Sequence, residues 1–179
     1  MLRIRQLLVV LCCLGSLIVG VAPASAAETS IFGSAQPANP NDPDSSAVQL
    51  GVVFRAASAG QITGIRFYKG SGNTGTHVGN LWTSTGTKLA SATFTGESAS
   101  GWQQVNFATP VPITAGTVYV ASYLAPSGHY AADSGFFSAA GVDNAPLHAL
   151  ADGVSGGNGV YAYGSTSTFP SNSFGAANY

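Results

Sequence analysis

An all-β chain, folded as one antiparallel β-sandwich or jelly-roll-like domain behind a signal peptide, is the architecture this sequence predicts. Three observations carry that expectation. Alternation of apolar and polar residues with a period of two recurs in six short runs between Val48 and Leu124. Turn-forming clusters separate those runs at short, regular spacing. No stretch after the leader sustains a helical period; the nearest case is Pro146–Ala151, where a proline start and Gly153 beyond the end allow one or two turns.

Residues 1–26 read as the signal peptide. Arg3 and Arg5 form a basic n-region, Leu7–Val21 a short apolar run, and Ala24-Ser25-Ala26 a small-x-small cleavage site. The run is too short for a comfortable membrane span and no stop-transfer charges follow, so a secreted, extracellular protein with no membrane span after leader cleavage is expected. Both cysteines, Cys12 and Cys13, fall inside the leader. Residues 27–179 therefore hold no thiol for a disulfide, a nucleophile or a cysteine metal site.

Residues 27–47 form an extended, proline-rich segment. Pro37, Pro40 and Pro43 exclude a helix there. Asp42 and Asp44 fall short of the oxygen count that Ca²⁺ needs, and a turn-capping role fits them better. Residues 48–179 carry the sandwich. Its expected strands are Val48–Arg55, Ile62–Tyr68, Gly79–Ser84, Lys88–Thr95, Trp102–Phe107 and Thr117–Leu124. Beyond the leader four cationic side chains face seven acidic ones, which disfavours nucleic acid and anionic membrane as partners.

Alternation assigns faces as well as strands. One side collects Leu50, Val52, Phe54, Ile65, Phe67, Leu81, Phe94, Val105, Phe107, Val118, Val120 and Leu124 as the core. The other collects Arg66, Tyr68, Asn80, Trp82, Trp102, Gln104, Asn106, Tyr119 and Tyr123. Rings interleaved with amides and a guanidinium suit a sugar, because rings stack on the apolar face of a pyranose and the polar groups bond its hydroxyls. The competing expectation is that the Gly- and aromatic-rich chain from Ser127 onward folds over that face as a second layer.

The polar chemistry concentrates in Gln61–Trp82, read as a strand–loop–strand hairpin with Lys69, Asn73 and His77 at its join. Gly70-Ser-Gly72-Asn-Thr-Gly75 fits the G-x-G-x-x-G pattern, but a strand-like stretch follows where a phosphate-binding helix would have to begin. Gly153-Val-Ser155-Gly-Gly157 fits G-x-S-x-G yet lacks the strand-to-helix turn of a nucleophile elbow. The three histidines have no metal-ligand spacing, and Glu97, Asp133, Asp143 and Asp152 are isolated. No catalytic residue, metal site or cofactor is therefore assigned. If Arg66 and His77 are structural, Arg66 is expected to pair with a carboxylate such as Asp44 or Glu97, and His77 to bond loop backbone.

The strings Gly-Ile-Arg66-Phe-Tyr-Lys69, Gly-Asn73-Thr-Gly-Thr-His77, Leu-Trp82, Gly-Trp102-Gln, Gly-His129-Tyr130 and Asn158-Gly-Val-Tyr161 together resemble the domain-of-unknown-function family 4082. The resemblance spans Thr29–Tyr179. It implies a β-sandwich module of secreted bacterial proteins, often placed beside neighbouring domains of a longer protein, and brings no activity. It also implies an acid where Gln49 stands and one further hydrophobic strand beyond Tyr179.

The functional expectation is a non-catalytic accessory module that binds carbohydrate or cell-surface material through Arg66, Tyr68, Lys69, Asn73, His77, Trp82 and Trp102. The alternatives are a structural spacer whose polar cluster bonds internally, and a hydrolase, for which no nucleophile and base pair can be named.

Overall fold

The computed structural model describes residues 28–179; the expected signal peptide and its cleavage site lie outside them. Among the described residues ten strands form, all paired antiparallel, and no helix. They are β1 (Val48–Ala56), β2 (Gly60–Lys69), β3 (Val78–Thr83), β4 (Lys88–Thr93), β5 (Gly101–Ile113), β6 (Val118–Ala125), β7 (Val142–Asn144), β8 (Leu147–Ala149), β9 (Val160–Tyr163) and β10 (Asn172–Ser173). The larger sheet runs β10-β9-β1-β6-β3-β4, with the short β7–β8 hairpin added to β1 through β8. The smaller sheet is β2 paired with β5.

The six expected strands are all present, and the differences have physical causes. β5 runs on past Phe107 through Pro110 and Pro112 to Ile113. It is an edge strand, where a missing N–H costs no ladder bond. Pro146–Ala151 is not helical. Leu147–Ala149 instead pairs with Val142–Asn144 and with the end of β1. Gln61–Trp82 is not a hairpin either: β2 pairs with β5 and β3 with β6, so the loop between β2 and β3 crosses from one layer to the other.

The main core lies between the sheets, where Leu50 and Phe54 of β1, Ile65 and Phe67 of β2, Leu81 of β3, Phe94, Phe107, Tyr119 and Tyr123 form one buried cluster. At Gly79 the layers approach closely. A Cβ there would lie 2.8 Å from the Ile65 Cβ. A second cluster, Val53, Trp82, Val120, Leu150 and Val160 with Val118 and Phe169, covers the opposite face of the larger sheet.

Because both faces of β6 are buried, its alternation could not say which set faced the main core. The expected assignment is reversed: Tyr119 and Tyr123 point into the sandwich, whereas Val118 and Val120 face the outer cluster. Central strands covered on both sides read as continuous apolar runs, and β6 (VYVASYLA) is such a run.

The outer edge of β1 is shared. β9 pairs with it through Gly51 and β8 from Phe54 onward, which leaves Val52 and Val53 between the two, with the Val53 carbonyl accepting the Leu150 amide at 3.0 Å. The Asn158 side chain fills that gap. Its Oδ1 accepts the Val53 amide at 2.8 Å, and its Nδ2 donates to the Val53 carbonyl at 3.0 Å and to the Leu150 carbonyl at 2.6 Å. One buried amide thus stands in for a strand residue.

Candidate functional site

The seven side chains singled out in the sequence do not share one surface. They separate into three places, set by which layer each strand belongs to and which way its residues point.

Lys69, Asn73 and His77 form a sealed hub with Glu97. Ile65, Phe67 and Lys69 share the inward face of β2, so Lys69 enters the sandwich where the strand ends. Its Nζ lies 2.7 Å from Glu97 Oε2. The loop after it carries His77 against two aromatic rings of the core, Phe67 at 4.8 Å between centroids and Tyr123 at 6.4 Å. His77 and Asn73 are fully buried. His77 Nδ1 lies 2.8 Å from Glu97 Oε1, and Nε2 lies 2.8 Å from the Asn73 side-chain amide. His77 therefore bonds side chains rather than loop backbone, contrary to the expectation above.

The protonation state of the hub follows from counting donors and acceptors. A neutral imidazole donates from one nitrogen and accepts at the other. With Asn73 Oδ1 toward Nε2, both ring nitrogens face oxygens, and Asn73 Nδ2 and the Tyr123 hydroxyl are left buried without partners. Satisfying both oxygens would take an imidazolium, which adds a second cation to one already held by Glu97. The amide's oxygen and nitrogen are assigned only by their surroundings. Turning the amide over lets Nδ2 donate to Nε2 and presents Oδ1 to the Tyr123 hydroxyl, beside which Asn73 already sits. A continuous chain results: Lys69⁺ to Glu97⁻, Nδ1–H to Glu97, Asn73 to Nε2, Tyr123 to Asn73.

Electrostatics agree with a neutral ring. Burial pushes the His77 pKa below its usual value, the Glu97 contact raises it in part, and Lys69 lowers it further. Burial also pushes the Tyr123 phenol well up, so it stays protonated and able to donate.

Arg66, Tyr68 and Trp102 occupy the outward face of β2–β5. Tyr68 stands opposite Trp102 in the register, their rings edge-on at 5.7 Å. The Arg66 guanidinium lies 4.8 Å from the Trp102 ring centroid. The chain before β1, not the chain after Ser127, folds over this face. Arg66 Nη1 donates to Ser30 Oγ at 2.6 Å and the Gly33 carbonyl at 3.2 Å, Trp102 Nε1 donates to the Ala35 carbonyl at 3.0 Å, and Phe32 stacks near Trp102 at 6.5 Å. Arg66 thus pairs with neither Asp44 nor Glu97. Asp44 accepts from Tyr130, Tyr163 and Ser46, and Glu97 belongs to the hub.

Beside this face opens a cleft of about 90 Å³, lined by Ile65–Tyr68 of β2, Trp102, the 32–37 segment, Leu50 and Val52 of β1, Asp133, Phe136 and the 178–179 pair. Phe136 is 40% exposed, the barest aromatic ring of that lining.

Trp82 lies on the far side of the larger sheet and is buried. Its Nε1 donates to Ser122 Oγ at 2.7 Å, which also accepts Gln49 Nε2 at 2.8 Å. Phe169 closes over the ring at 5.7 Å, and Lys88 sits 4.8 Å from its centroid. Asn80, on the same face, donates to Ser167 at 3.1 Å. Here the C-terminal third does form the covering layer.

Glu97, Phe32, Phe136 and Asn158 are the residues that matter to these sites and that sequence reasoning left out as site members. Glu97 had a signal, since it is one of only two glutamates and the chain beyond the leader has only two lysines. Phe32 and Phe136 had none, because nothing local says that their loops meet β2. Among the described residues no three His, Cys, Asp or Glu side chains come together to hold a metal ion, and no helix is long and apolar enough to cross a membrane.

Fold and site together define an antiparallel β-sandwich module with a sealed polar hub and one small aromatic cleft. Over residues 34–179 the chain matches the family described as Domain of unknown function (DUF4082), and it belongs to that family. No curated protein and no solved structure matches it.

Proposed function

We propose that this protein is a secreted, non-catalytic accessory module that binds a glycan or cell-surface polymer at the cleft beside Arg66, Tyr68 and Trp102. The observation that carries the reading is the cleft itself: half-exposed rings and a guanidinium gathered on a concave surface, the composition that sugar sites use. Lys69, Asn73, His77 and Trp82 leave the list of ligand contacts and become supports of the fold. The leader-like residues 1–26 are the reason for placing the protein outside the cell. The hub offers no open base, since both ring nitrogens of His77 are engaged and the ring is sealed. That favours binding over hydrolysis.

A second reading, a structural spacer, is favoured by the hub, whose polar groups bond one another rather than solvent. A pull-down on insoluble and soluble cell-wall polysaccharides separates the two. The module reading expects retention that drops about tenfold in Phe136→Ala, an exposed position where the fold tolerates the change. No retention above background on any polysaccharide contradicts it and leaves the spacer.

A further inference from the structure

Arg66 differs from Lys69, its neighbour on β2, in having no counter-ion. Lys69 has Glu97 at 2.7 Å, whereas no carboxylate lies within 4.0 Å of Arg66 among the described residues. Its two hydrogen bonds, to Ser30 and Gly33, both leave from Nη1. Among the described residues Nε and Nη2 have no hydrogen-bond partner, and neither is sealed from solvent. Those two nitrogens form the side-on edge of the guanidinium, a planar fork of N–H donors whose spacing matches the two oxygens of a carboxylate. The Trp102 ring beneath holds the plane in place, because the guanidinium lies over it at 4.8 Å.

Asp133, the carboxylate in the lining, already accepts the Ala38 and Asn39 amides at 3.0 and 2.9 Å through its two oxygens, and so serves to anchor the 38–39 backbone.

Resting on the cleft being the binding surface, we infer that its ligand is an acidic glycan, a uronate-bearing polymer whose carboxylate inserts onto the Nε/Nη2 edge of Arg66 while the sugar ring lies against the exposed Phe136 rim. Neutral polymers lack the group that the fork recognises, and a lysine would supply charge without the fork.

The test compares polygalacturonate with its methyl-esterified form on the full wild-type protein, by calorimetry or thermophoresis, and repeats the acid form with Arg66→Gln and Arg66→Lys. Binding of the acid form with at least about tenfold loss on esterification, and a similar loss in both variants, is the expected result. The esterification comparison needs no variant, so it decides even if Arg66→Gln weakens the fold. Equal binding of acid, ester and neutral polymers, unchanged in Arg66→Gln, overturns the acidic-glycan inference and leaves the module reading standing. Displacement by an acidic peptide at lower concentration than by galacturonate oligomers overturns the glycan class. No binding of any polymer overturns the module reading itself.

Discussion

His77 is the residue at which chemistry and stability are most tightly joined. Its ring is buried, neutral and held between Glu97 and Asn73, and burial is the main cause of its lowered pKa. An unfolded histidine has a pKa of about 6.5, so in acid the unfolded chain takes up a proton more readily than the folded one. The stability tied to this group is complete above about pH 6.5 and is lost as pH falls from there toward the lowered folded value. The denaturation midpoint should accordingly fall between about pH 7.5 and about pH 5.5. His77→Gln should be less stable at the higher pH yet nearly flat across that window. Urea melts at the two pH values check this, and an equal slope in variant and wild type would contradict it. Asp44 acts lower on the scale. Burial opposes its charge, but hydrogen bonds from Ser46, Tyr163 and Tyr130 outweigh that and hold its pKa down, so its contribution is present above about 3.8 and fails only in stronger acid.

At the scale of elements, β1 depends on a side chain where no strand reaches it. Removing the Asn158 amide leaves the Val53 N–H and the Leu150 carbonyl buried without that partner, whereas the Val53 carbonyl keeps the Leu150 N–H at 3.0 Å. Asn158→Ala should cost about 2–4 kcal/mol, against less than about 0.5 kcal/mol for Asn172→Ala, whose side chain is exposed on β10. Chemical denaturation measures both, and equal costs would show that the bridge is incidental. The longer strands were legible because each runs six or more residues, enough for alternation in β4 and β5, or an apolar run rich in β-branched and aromatic residues in β6, to stand out. β7 to β10 were not, since two to four residues in Gly- and Ser-rich chain carry no usable period. Pairing was less legible than strand existence. β2 and β3 are adjacent in sequence, but β2 pairs with β5, and the loop between β2 and β3 carries the buried His77.

At the scale of the whole molecule, one expected surface becomes two faces of different sheets. The alternation along β3 and β5 placed Trp82 and Trp102 on a non-core side correctly, but alternation is blind to which sheet a strand joins. Trp82 therefore ends beneath Phe169 on the outside of the larger sheet, and Trp102 beneath Ser30–Gln36 on the outside of the smaller one. Of the hub, Lys69, Asn73 and His77 were legible as scarce polar chemistry at one join, whereas their closure through Glu97 was not. The cleft was not, because its rim comes from loops around Phe32 and Phe136 that only the tertiary fold brings to β2.

These are the chain's only two tryptophans, one on each outer face, and each donates its indole N–H to a known acceptor. They make the central claim directly measurable. In a ¹⁵N-labelled sample titrated with galacturonate oligomers, the Trp102 indole signal and the backbone signals of Ile65–Tyr68 should shift together and saturate, while the Trp82 indole stays in place. Saturating shifts at Trp82 with Trp102 unmoved would contradict the account.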